Sequence, residues 1–195
     1  MNILLHVCCA PCAIYPVSRL RQAGFQPTGF FYNPNIHPYT EYAKRLAAVQ
    51  EYSGLAGLPV TVRDDYDLDA FLVRTVGTGP NRCEQCYRMR LDAAGAAARS
   101  QGFSLYTTSL LYSRYQKHDL IQGVAREMAR EHGIEFFYQD FRTGWSEGIR
   151  QSKAMGLYRQ RYCGCIYSER ERYLCQRQGS ARPLEGPAGT GDIDR

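Results

Sequence analysis

Seven of the eight cysteines in this chain of 195 residues lie in three short groups, Cys8-Cys9-x2-Cys12, Cys83-x2-Cys86 and Cys163-x-Cys165. Neighbouring residues direct their side chains apart, so we expect Cys8 and Cys9 to bind different metal atoms rather than one small ion. A 4Fe–4S cluster spreads its open positions over several irons and usually takes four thiolates. The spacing therefore favours an iron–sulfur cluster held by Cys8, Cys9, Cys83 and Cys86.

The Cys83-x2-Cys86 pair has a spacing that is common in metal sites and specific to none of them. Alone it is compatible with zinc, with an iron–sulfur cluster or with a redox dithiol. We expect the pair to begin a helix, whose N-terminus lowers the pKa of a thiol and favours the thiolate. Together with Cys8 and Cys9, the pair favours iron–sulfur over zinc.

Cys163 and Cys165 are one residue apart, a spacing too tight for a relaxed disulfide. A strained bridge is easily reduced, so the pair suits redox cycling better than structural cross-linking. The alternative is that one of the two binds a second metal. For Cys12 two interpretations stay open: it is a small buried thiol, or it lies next to a bound metal. Cys175, outside the three groups, is interpreted as a packing residue.

The composition argues against a disulfide-rich, a secreted or a membrane-spanning protein. The cysteine content is below that of a disulfide scaffold. The apolar start at Ile3 is too short for a secretory signal and has no basic segment before it. No stretch approaches the ~20 apolar residues that span a bilayer. We therefore expect a cytoplasmic protein outside the membrane, in a compartment where clustered cysteines bind metal or catalyse.

The C-terminal third of the chain carries a basic stripe with aromatic residues between the cations. The net charge of the whole chain is +5, and residues 145–177 hold seven Lys or Arg against three Glu. This composition is typical of a surface for unpaired nucleic acid. It also fits a solvated helical face whose tyrosines pack on the core. The candidate nucleic-acid-binding residues are Arg150, Lys153, Arg159, Arg161 and Tyr162.

Strand-like and helix-like segments alternate along the chain. This predicts an α/β fold, a Rossmann-like parallel sheet of about five strands with helices on both faces, plus C-terminal helices. Strands are expected over 2–7, 25–32, 59–63, 104–109 and 134–138. Helices are expected over 13–23, 39–55, 68–74, 84–100, 116–131, 146–157 and 167–176. Cys8 and Cys9 then follow the first strand, at the sheet edge where such folds bind ligands.

One domain is expected for a chain of this length. We predict a single α/β iron–sulfur catalytic domain over residues 1–178. Residues 179–195 are rich in glycine, proline and small residues, and we predict a disordered tail there.

Several residues are candidates for a general acid. His6 lies in an apolar strand and is interpreted as a core histidine rather than a ligand. His37 could line the pocket, and Asp140 follows the last strand. His118 and Asp119 open a helix, where helix capping is sufficient to explain them. The sequence does not choose among these residues. The glycine-rich phosphate loop of ATP-using folds is missing after the first strand.

Five segments together resemble one known family. They are His6-Val7-Cys8-Cys9-Ala10-Pro11-Cys12, Tyr32-Asn33-Pro34-Asn35-Ile36-His37-Pro38, Arg82-Cys83-x2-Cys86-Tyr87-x2-Arg90-Leu91, Thr107-Thr108-Ser109-Leu110 and Tyr158-Arg159-Gln160-x-Tyr162-Cys163-Gly164-Cys165. The combination, which spans residues 3 to 175, resembles the QueH-type epoxyqueuosine reductases. One departure is Arg114, where the family pattern leads us to expect a proline.

The resemblance implies a reaction, a fold and roles for the cysteines. The reaction is the reduction of epoxyqueuosine to queuosine at the wobble position of tRNA, with an electron donor that the sequence does not identify. The fold is akin to the adenine-nucleotide hydrolase-like α/β sheet. By the resemblance, Cys163 and Cys165 form a redox-active pair, and Cys12 helps to bind an additional iron. The 4Fe–4S ligands are Cys8, Cys9, Cys83 and Cys86.

Two other functions fit part of the sequence. A tRNA sulfur-transfer enzyme of related fold also uses clustered cysteines, but the missing phosphate loop argues against it. A non-catalytic, metal-stabilised RNA-binding module would bind tRNA and leave epoxyqueuosine unchanged. An anticodon loop is an unpaired target whose bases can stack on aromatic side chains, so the resemblance favours the nucleic-acid interpretation of the basic stripe.

Overall fold

Five parallel strands form one sheet in a computed structural model, which describes residues 1–177. Their order in the sheet is β3-β2-β1-β4-β5, and each neighbouring pair is parallel. The predicted parallel sheet is therefore confirmed. β5 is shorter than predicted, since only two of its residues pair with β4. The strands are β1 (Asn2–His6), β2 (Gln26–Phe31), β3 (Val60–Val62), β4 (Leu105–Thr108) and β5 (Glu135–Phe136).

Helices connect the strands and continue after the last of them. They are α1 (Ala10–Gln22), α2 (Tyr39–Ala56), α3 (Leu68–Thr75), α4 (Arg82–Ser100), α5 (His118–Glu131), α6 (Trp145–Ala154) and α7 (Ile166–Arg177). The predicted C-terminal helices are thus present as α6 and α7. The predicted tail, 179–195, and the side chain of Cys175 lie outside the described residues.

The start of α1 differs from the prediction and changes the position of a cysteine. The helix begins at Ala10 rather than Ala13, with Cys9 as the residue before it and Pro11 in its first turn. Proline is compatible with the first turn because the amide that it lacks has no partner there. Cys12 therefore lies inside the first turn of α1 and faces the same end of the sheet as Cys8 and Cys9.

Helices cover both faces of the sheet. On one face α4 packs on β1 and β4 and contacts α5, and on the other α1 contacts α2 and α6, as right-handed crossovers require. Ala94 and Ala98 of α4 are fully buried, since small side chains let this helix approach the sheet closely. Among the described helices, none has the length and apolar character needed to cross a bilayer.

The strand order reverses between β1 and β4. The chain leaves β1 toward β2 and returns from β3 to the opposite side of β1. Parallel α/β sheets bind ligands in the crevice beyond the carboxyl ends of the strands at such a point. Cys8 follows β1 and Ser109 follows β4, so this crevice is the place to look for a site.

Candidate active site

Three sulfur atoms meet at the crevice between β1 and β4. The Sγ atoms of Cys8, Cys9 and Cys12 all lie within 4.8 Å of one another, and those of Cys8 and Cys9 are 3.8 Å apart. The sulfurs of Cys8 and Cys9 therefore do not point apart as expected, while their binding to different metal atoms stays a prediction. The turn into α1 brings the sulfurs of the two neighbouring residues together.

Hydrogen bonding divides the charge unequally among these three buried thiols. The pKa of Cys8 is held well below its usual value because the Cys12 and Cys9 thiols donate to its sulfur. Burial raises the pKa of Cys9, and the hydrogen bonds to Cys8 and Cys9 raise that of Cys12. Negative charge is therefore more favourable on Cys8 than on Cys9 or Cys12. A bound metal would replace the protons of the thiols.

The second cysteine group lies in the first turns of α4. The prediction that the helix N-terminus lowers its pKa values is wrong for both thiols, because burial dominates. Burial raises the pKa of Cys83 despite the positive charges of Lys117 and Arg82, and it raises that of Cys86 to about 12. Both cysteines remain protonated at neutral pH until a metal displaces the proton.

The segment before α7 brings the third cysteine group, Cys163 and Cys165, close to the second group at the start of α4. Cys165 packs in an apolar cluster with Cys86, Phe71 and Met89, and the charge of Cys163 raises the pKa of Cys86. Both Cys163 and Cys165 are free thiols, which is the reduced form of the predicted redox pair. Burial raises the pKa of Cys165, whereas Cys163 is exposed.

Polar contacts from α2 fix the backbone of this segment. Arg45 is 2% exposed and pairs with Glu41 at 2.7 Å. Its other nitrogens donate to the carbonyl oxygens of Cys163 and Tyr162, at 2.9 and 3.0 Å. The carboxylate of Glu41 also accepts a hydrogen bond from the Tyr158 hydroxyl. Cys163 is thus positioned by a buried ion pair although it lies outside regular secondary structure.

Most side chains that contact the sulfur atoms are hydrogen-bond donors. The Ser109 hydroxyl donates to Cys8 Sγ at 3.3 Å. The Gln160 amide donates to Cys9 Sγ at 2.8 Å and to Cys12 Sγ at 3.6 Å. Gln116 donates to Cys163 Sγ at 3.1 Å. Donors suit thiolate or metal-bound sulfur, because both are acceptors. Sequence reasoning assigned no role to Gln116 or Gln160, and nothing in the spacing of either points to a sulfur.

Arg90 is a buried cation beside these sulfurs. It is 2% exposed and donates to Asn33 Oδ1 at 2.7 Å and to Cys86 Sγ at 3.9 Å. Its Nε has no hydrogen-bond partner, and within residues 1–177 no carboxylate pairs with it. Burial lowers the pKa of Arg90, but its electrostatic interaction with Cys86, Cys8 and Cys163 outweighs burial and raises the pKa above its usual value. Sequence reasoning gave Arg90 no role, although its position four residues after Cys86 places it on the same face of the helix and could have indicated this contact.

Two of the candidate acids, His6 and His37, have imidazole rings that are neutral at neutral pH. His6 is a core histidine, as predicted. Its ring contacts Thr108 Oγ1 and the carbonyl oxygen of Tyr32, and burial lowers its pKa to about 3. Burial also lowers the pKa of His37 to about 4. His37 donates its backbone amide to the carbonyl oxygen of Gly164 at 2.8 Å.

The remaining two candidates lie beyond β4 and β5. His118 is buried, its Nε2 contacts the Tyr138 hydroxyl at 3.2 Å, and burial lowers its pKa. No side-chain cap is formed at the start of α5, but Asp119 lies in its first turn as expected, where a negative charge is favourable. Asp140 pairs with Arg142 at 2.7 Å, and this hydrogen bond lowers its pKa.

The predicted nucleic-acid residues lie on α6 and in the segment that follows it. Arg159, Arg161 and Tyr162 line a cavity of about 300 Å³ with Lys44 and Tyr173. Arg150 and Lys153 are exposed on α6. No carboxylate within the described residues pairs with Lys44, Arg150, Lys153, Arg159 or Arg161. Tyr158 and Tyr167 pack against the two core clusters and Tyr173 is exposed, so the assignment of this surface to nucleic acid stays a prediction.

Comparisons with known proteins show which family the chain resembles. A family model described as epoxyqueuosine reductase QueH matches residues 3–171. An epoxyqueuosine reductase QueH of Dehalococcoides mccartyi is 36% identical over 172 residues, covering 88% of this chain and 94% of that protein. One of Thermotoga maritima is 36% identical over 181 residues, covering 88% and 92%.

Among solved structures, a predicted subunit of a tRNA methyltransferase from Methanocaldococcus jannaschii has a TM-score of 0.49. It is 13% identical, with 78% of this chain and 74% of that chain covered. The family match and the two sequence relatives identify the chain much more specifically. The chain belongs to the epoxyqueuosine reductase QueH family and is an oxidoreductase.

Proposed function

We propose that this enzyme reduces epoxyqueuosine to queuosine at the wobble position of tRNA, with a 4Fe–4S cluster and the Cys163–Cys165 pair. The observation that carries the proposal is the convergence of the three cysteine groups. Donor side chains and one buried cation surround their sulfur atoms. The names of the sequence relatives supply the reaction. We place the reaction in the cytoplasm, where thiols stay reduced.

The residues present fit a negatively charged, thiolate-bound metal cluster. Isolated buried charge is strongly unfavourable, yet Arg90 has no carboxylate partner within residues 1–177. A cluster with thiolate ligands beside Arg90 would supply the missing negative charge. Cys8, Cys9, Cys83 and Cys86 are the ligands that we propose. Cys12, within 4.8 Å of Cys8 and Cys9, is then available for an additional iron.

The proposed reaction requires two electrons and two protons. Both carbon–oxygen bonds of the epoxide break, the oxygen leaves as water, and an alkene remains. Oxidation of the Cys163 and Cys165 thiols to a disulfide releases two electrons and two protons, so the reaction balances. The strained bridge would be easily reduced, and an external electron donor would restore both thiols. When bound, the iron–sulfur cluster supplies single-electron transfer.

The chain's own residues hold the thiols in place for this chemistry. Arg45 positions the backbone at Cys163 by donating to the carbonyl oxygens of Tyr162 and Cys163. Gln116 donates to Cys163 Sγ and would stabilise its thiolate. Gln160 covers Cys9 and Cys12 from the solvent side. The unpaired cations Arg159 and Arg161 would bind the phosphates of the anticodon loop.

The compact Cys8, Cys9 and Cys12 group also supports a second candidate. Three sulfurs within 4.8 Å suit one zinc ion with a fourth ligand. In that case the chain would be a metal-stabilised module that binds RNA without reducing it. The two functions differ in the metal bound and in the fate of the substrate.

Metal and sulfide analysis tests the proposal first. Protein purified without oxygen should contain about four irons and four acid-labile sulfides per chain, with additional iron if Cys12 binds a second site. The same protein should convert epoxyqueuosine in tRNA to queuosine in the presence of a chemical reductant. Zinc without sulfide, and tRNA left unconverted, would favour the RNA-binding module.

Cysteine variants separate ligands from the redox pair. Cys163→Ser should abolish turnover and retain iron and sulfide, whereas Cys83→Ser should lose both. Cys175→Ser, outside the three groups, is the matched control and should retain metal and activity. Loss of the cluster in Cys163→Ser would make Cys163 a ligand and would contradict its assigned role.

A further inference from the structure

A rigid aromatic cluster lies beside the site and includes none of the residues assigned above to nucleic acid. The Tyr112 and Trp145 rings are stacked, with centroids 5.2 Å apart and an interplanar angle of 29°. Tyr115 meets Trp145 at 5.6 Å in an edge-on arrangement of 81°. The guanidinium carbon of Arg114 lies 5.8 Å from the centroid of the Trp145 ring.

The inner part of the cluster is fixed by close packing. Tyr112 is buried and its hydroxyl donates to the carbonyl oxygen of Trp145 at 2.9 Å. A side chain at Gly148 would place its Cβ 2.3 Å from that hydroxyl, and one at Gly144 would place its Cβ 2.2 Å from the Tyr15 ring. The glycines therefore allow α6 to approach closely and to hold Trp145 in one orientation.

The outer part of the cluster faces solvent. Tyr115 is 62% exposed, Trp145 is half-buried and Arg114 is exposed. Within the described part of the chain, Arg114 has neither an ion pair nor a hydrogen bond. Rings held rigidly from below and open above lose little conformational entropy when a flat ligand stacks on them.

The cluster adjoins two of the three cysteine groups. Gln116, next to Tyr115 in the chain, donates to Cys163 Sγ at 3.1 Å. Tyr15 lies one turn after Cys12 in α1, and its ring centroid is 6.3 Å from that of Tyr112. A group bound on Tyr115 and Trp145 would therefore be a close neighbour of a group bound at the thiols.

The charges around the cluster indicate what would bind. Arg114 and Arg159 both act on Tyr112 electrostatically, and neither is neutralised by a carboxylate within residues 1–177. An apolar protein partner would require no such cations. An unpaired nucleotide offers a flat base for the rings and a phosphate for the arginine, and stacking of this kind is largely independent of base identity.

We propose that Tyr115, Trp145 and Arg114 form a stacking platform for an unpaired base of the RNA substrate adjacent to the base that is reduced. Arg114 contacts the phosphate of the stacked nucleotide. The platform rests on the proposed function and adds to it a binding site for a neighbouring nucleotide. Its role is to hold the loop open while the modified base occupies the site near Cys163.

Binding of a fluorescent RNA hairpin tests the platform. The probe is an anticodon stem-loop with 2-aminopurine next to the wobble position, whose emission falls when the base stacks on an aromatic ring. Tyr115→Ala should weaken binding by about 5- to 150-fold, the equivalent of 1–3 kcal/mol per stacked base, and should remove the quenching. Tyr115→Phe should restore both. Arg114→Gln should reduce the salt dependence of binding by about one unit of slope.

Tyr39→Ala is the matched control, because Tyr39 is 60% exposed and lies at the start of α2. It should bind the hairpin as the unchanged protein does, and urea denaturation should show equal stability for all variants. The platform is overturned if Tyr115→Ala binds like Tyr39→Ala, or if Tyr115→Phe binds as weakly as Tyr115→Ala.

The conversion assay separates this outcome from failure of the proposed function. Continued conversion by Tyr115→Ala with unchanged hairpin affinity overturns the platform and leaves the reductase assignment intact. A cluster-loaded protein that neither binds the hairpin nor converts tRNA overturns both.

Discussion

A buried guanidinium is stable only where negative charge lies close to it. Arg90 reaches Asn33 and Cys86 but no carboxylate within residues 1–177. In the proposed enzyme the compensating charge belongs to the thiolates and the cluster. Arg90 would therefore favour the more reduced, more negatively charged state of the cluster, since hydrogen bonds and local charge set the potentials of iron–sulfur centres.

Replacing Arg90 should make the cluster harder to reduce. We expect Arg90→Met to shift the midpoint potential by about 60 mV to more negative values, a tenfold change for a one-electron couple. An electron paramagnetic resonance titration measures this shift. Arg88→Met, two residues away on α4 and paired with Glu84 and Glu127, should leave the potential unchanged. Equal potentials in both variants, with equal iron content, would remove the tuning role of Arg90.

At the scale of elements, the irregular segment between α6 and α7 completes the site. Gly164 in this segment has a φ of +127°, which side chains rarely adopt. A Cβ there would lie 3.0 Å from Arg45 Nη1 and 3.1 Å from Ile36. The segment therefore closes on α2 only because residue 164 has no side chain, and this closure places the two flanking cysteines.

Gly164→Ala should destabilise the protein by about 1–3 kcal/mol through backbone strain and the contact with Arg45. Urea denaturation of the reduced protein, followed by circular dichroism, measures the free energy of unfolding. Gly123→Ala in α5 is the control, because a Cβ there meets nothing within 4 Å. It should raise stability by up to about 1 kcal/mol. A Gly164→Ala variant as stable as Gly123→Ala would show that the segment has no strained position.

The elements also show where sequence reasoning succeeds. β1 was predictable because a continuous apolar run, Ile3 to Leu5, is buried on both faces. The hydrogen bonds of Gln160 to Cys9 and of Arg45 to the backbone at Cys163 were not predictable. The segment between α6 and α7, which takes part in both, has no apolar periodicity in its sequence. The pKa values of Cys83 and Cys86 were predicted wrongly since spacing reveals a helix start but not its burial.

At the scale of the whole molecule, the proposed contact with tRNA depends on four cations. Arg150 and Lys153 belong to α6, and Arg159 and Arg161 belong to the segment that follows it. Helices of a parallel α/β fold return to the opposite edge of the sheet, so the last turn of α5 lies away from the site. Cations also lie in the last turns of α1, α4 and α5, so the proposed contact with a phosphate backbone is tested by comparing cations from the two ends of the sheet.

Binding of tRNA should weaken steeply with salt. Four phosphate contacts predict a slope of log K against log[salt] of about −3. Arg161→Gln should reduce the magnitude of the slope by about one. Arg130→Gln, the same charge change in the last turn of α5, should leave the slope unchanged. Fluorescence anisotropy across a potassium chloride series measures both. A flat dependence, or equal effects of the two variants, would place tRNA elsewhere.

The hydrogen bond between Gln160 and Cys9 joins residues that are 151 positions apart. During synthesis the first cysteine group leaves the ribosome before the segment that contains Gln160, and the interval is the time needed to add 151 residues. At about 5–20 residues per second, this interval is roughly 10 to 30 seconds. Throughout that time Cys8, Cys9 and Cys12 would be uncovered and open to oxidants or to competing metals. Correct metal loading would then depend on the timing of translation as well as on the affinity of the finished site.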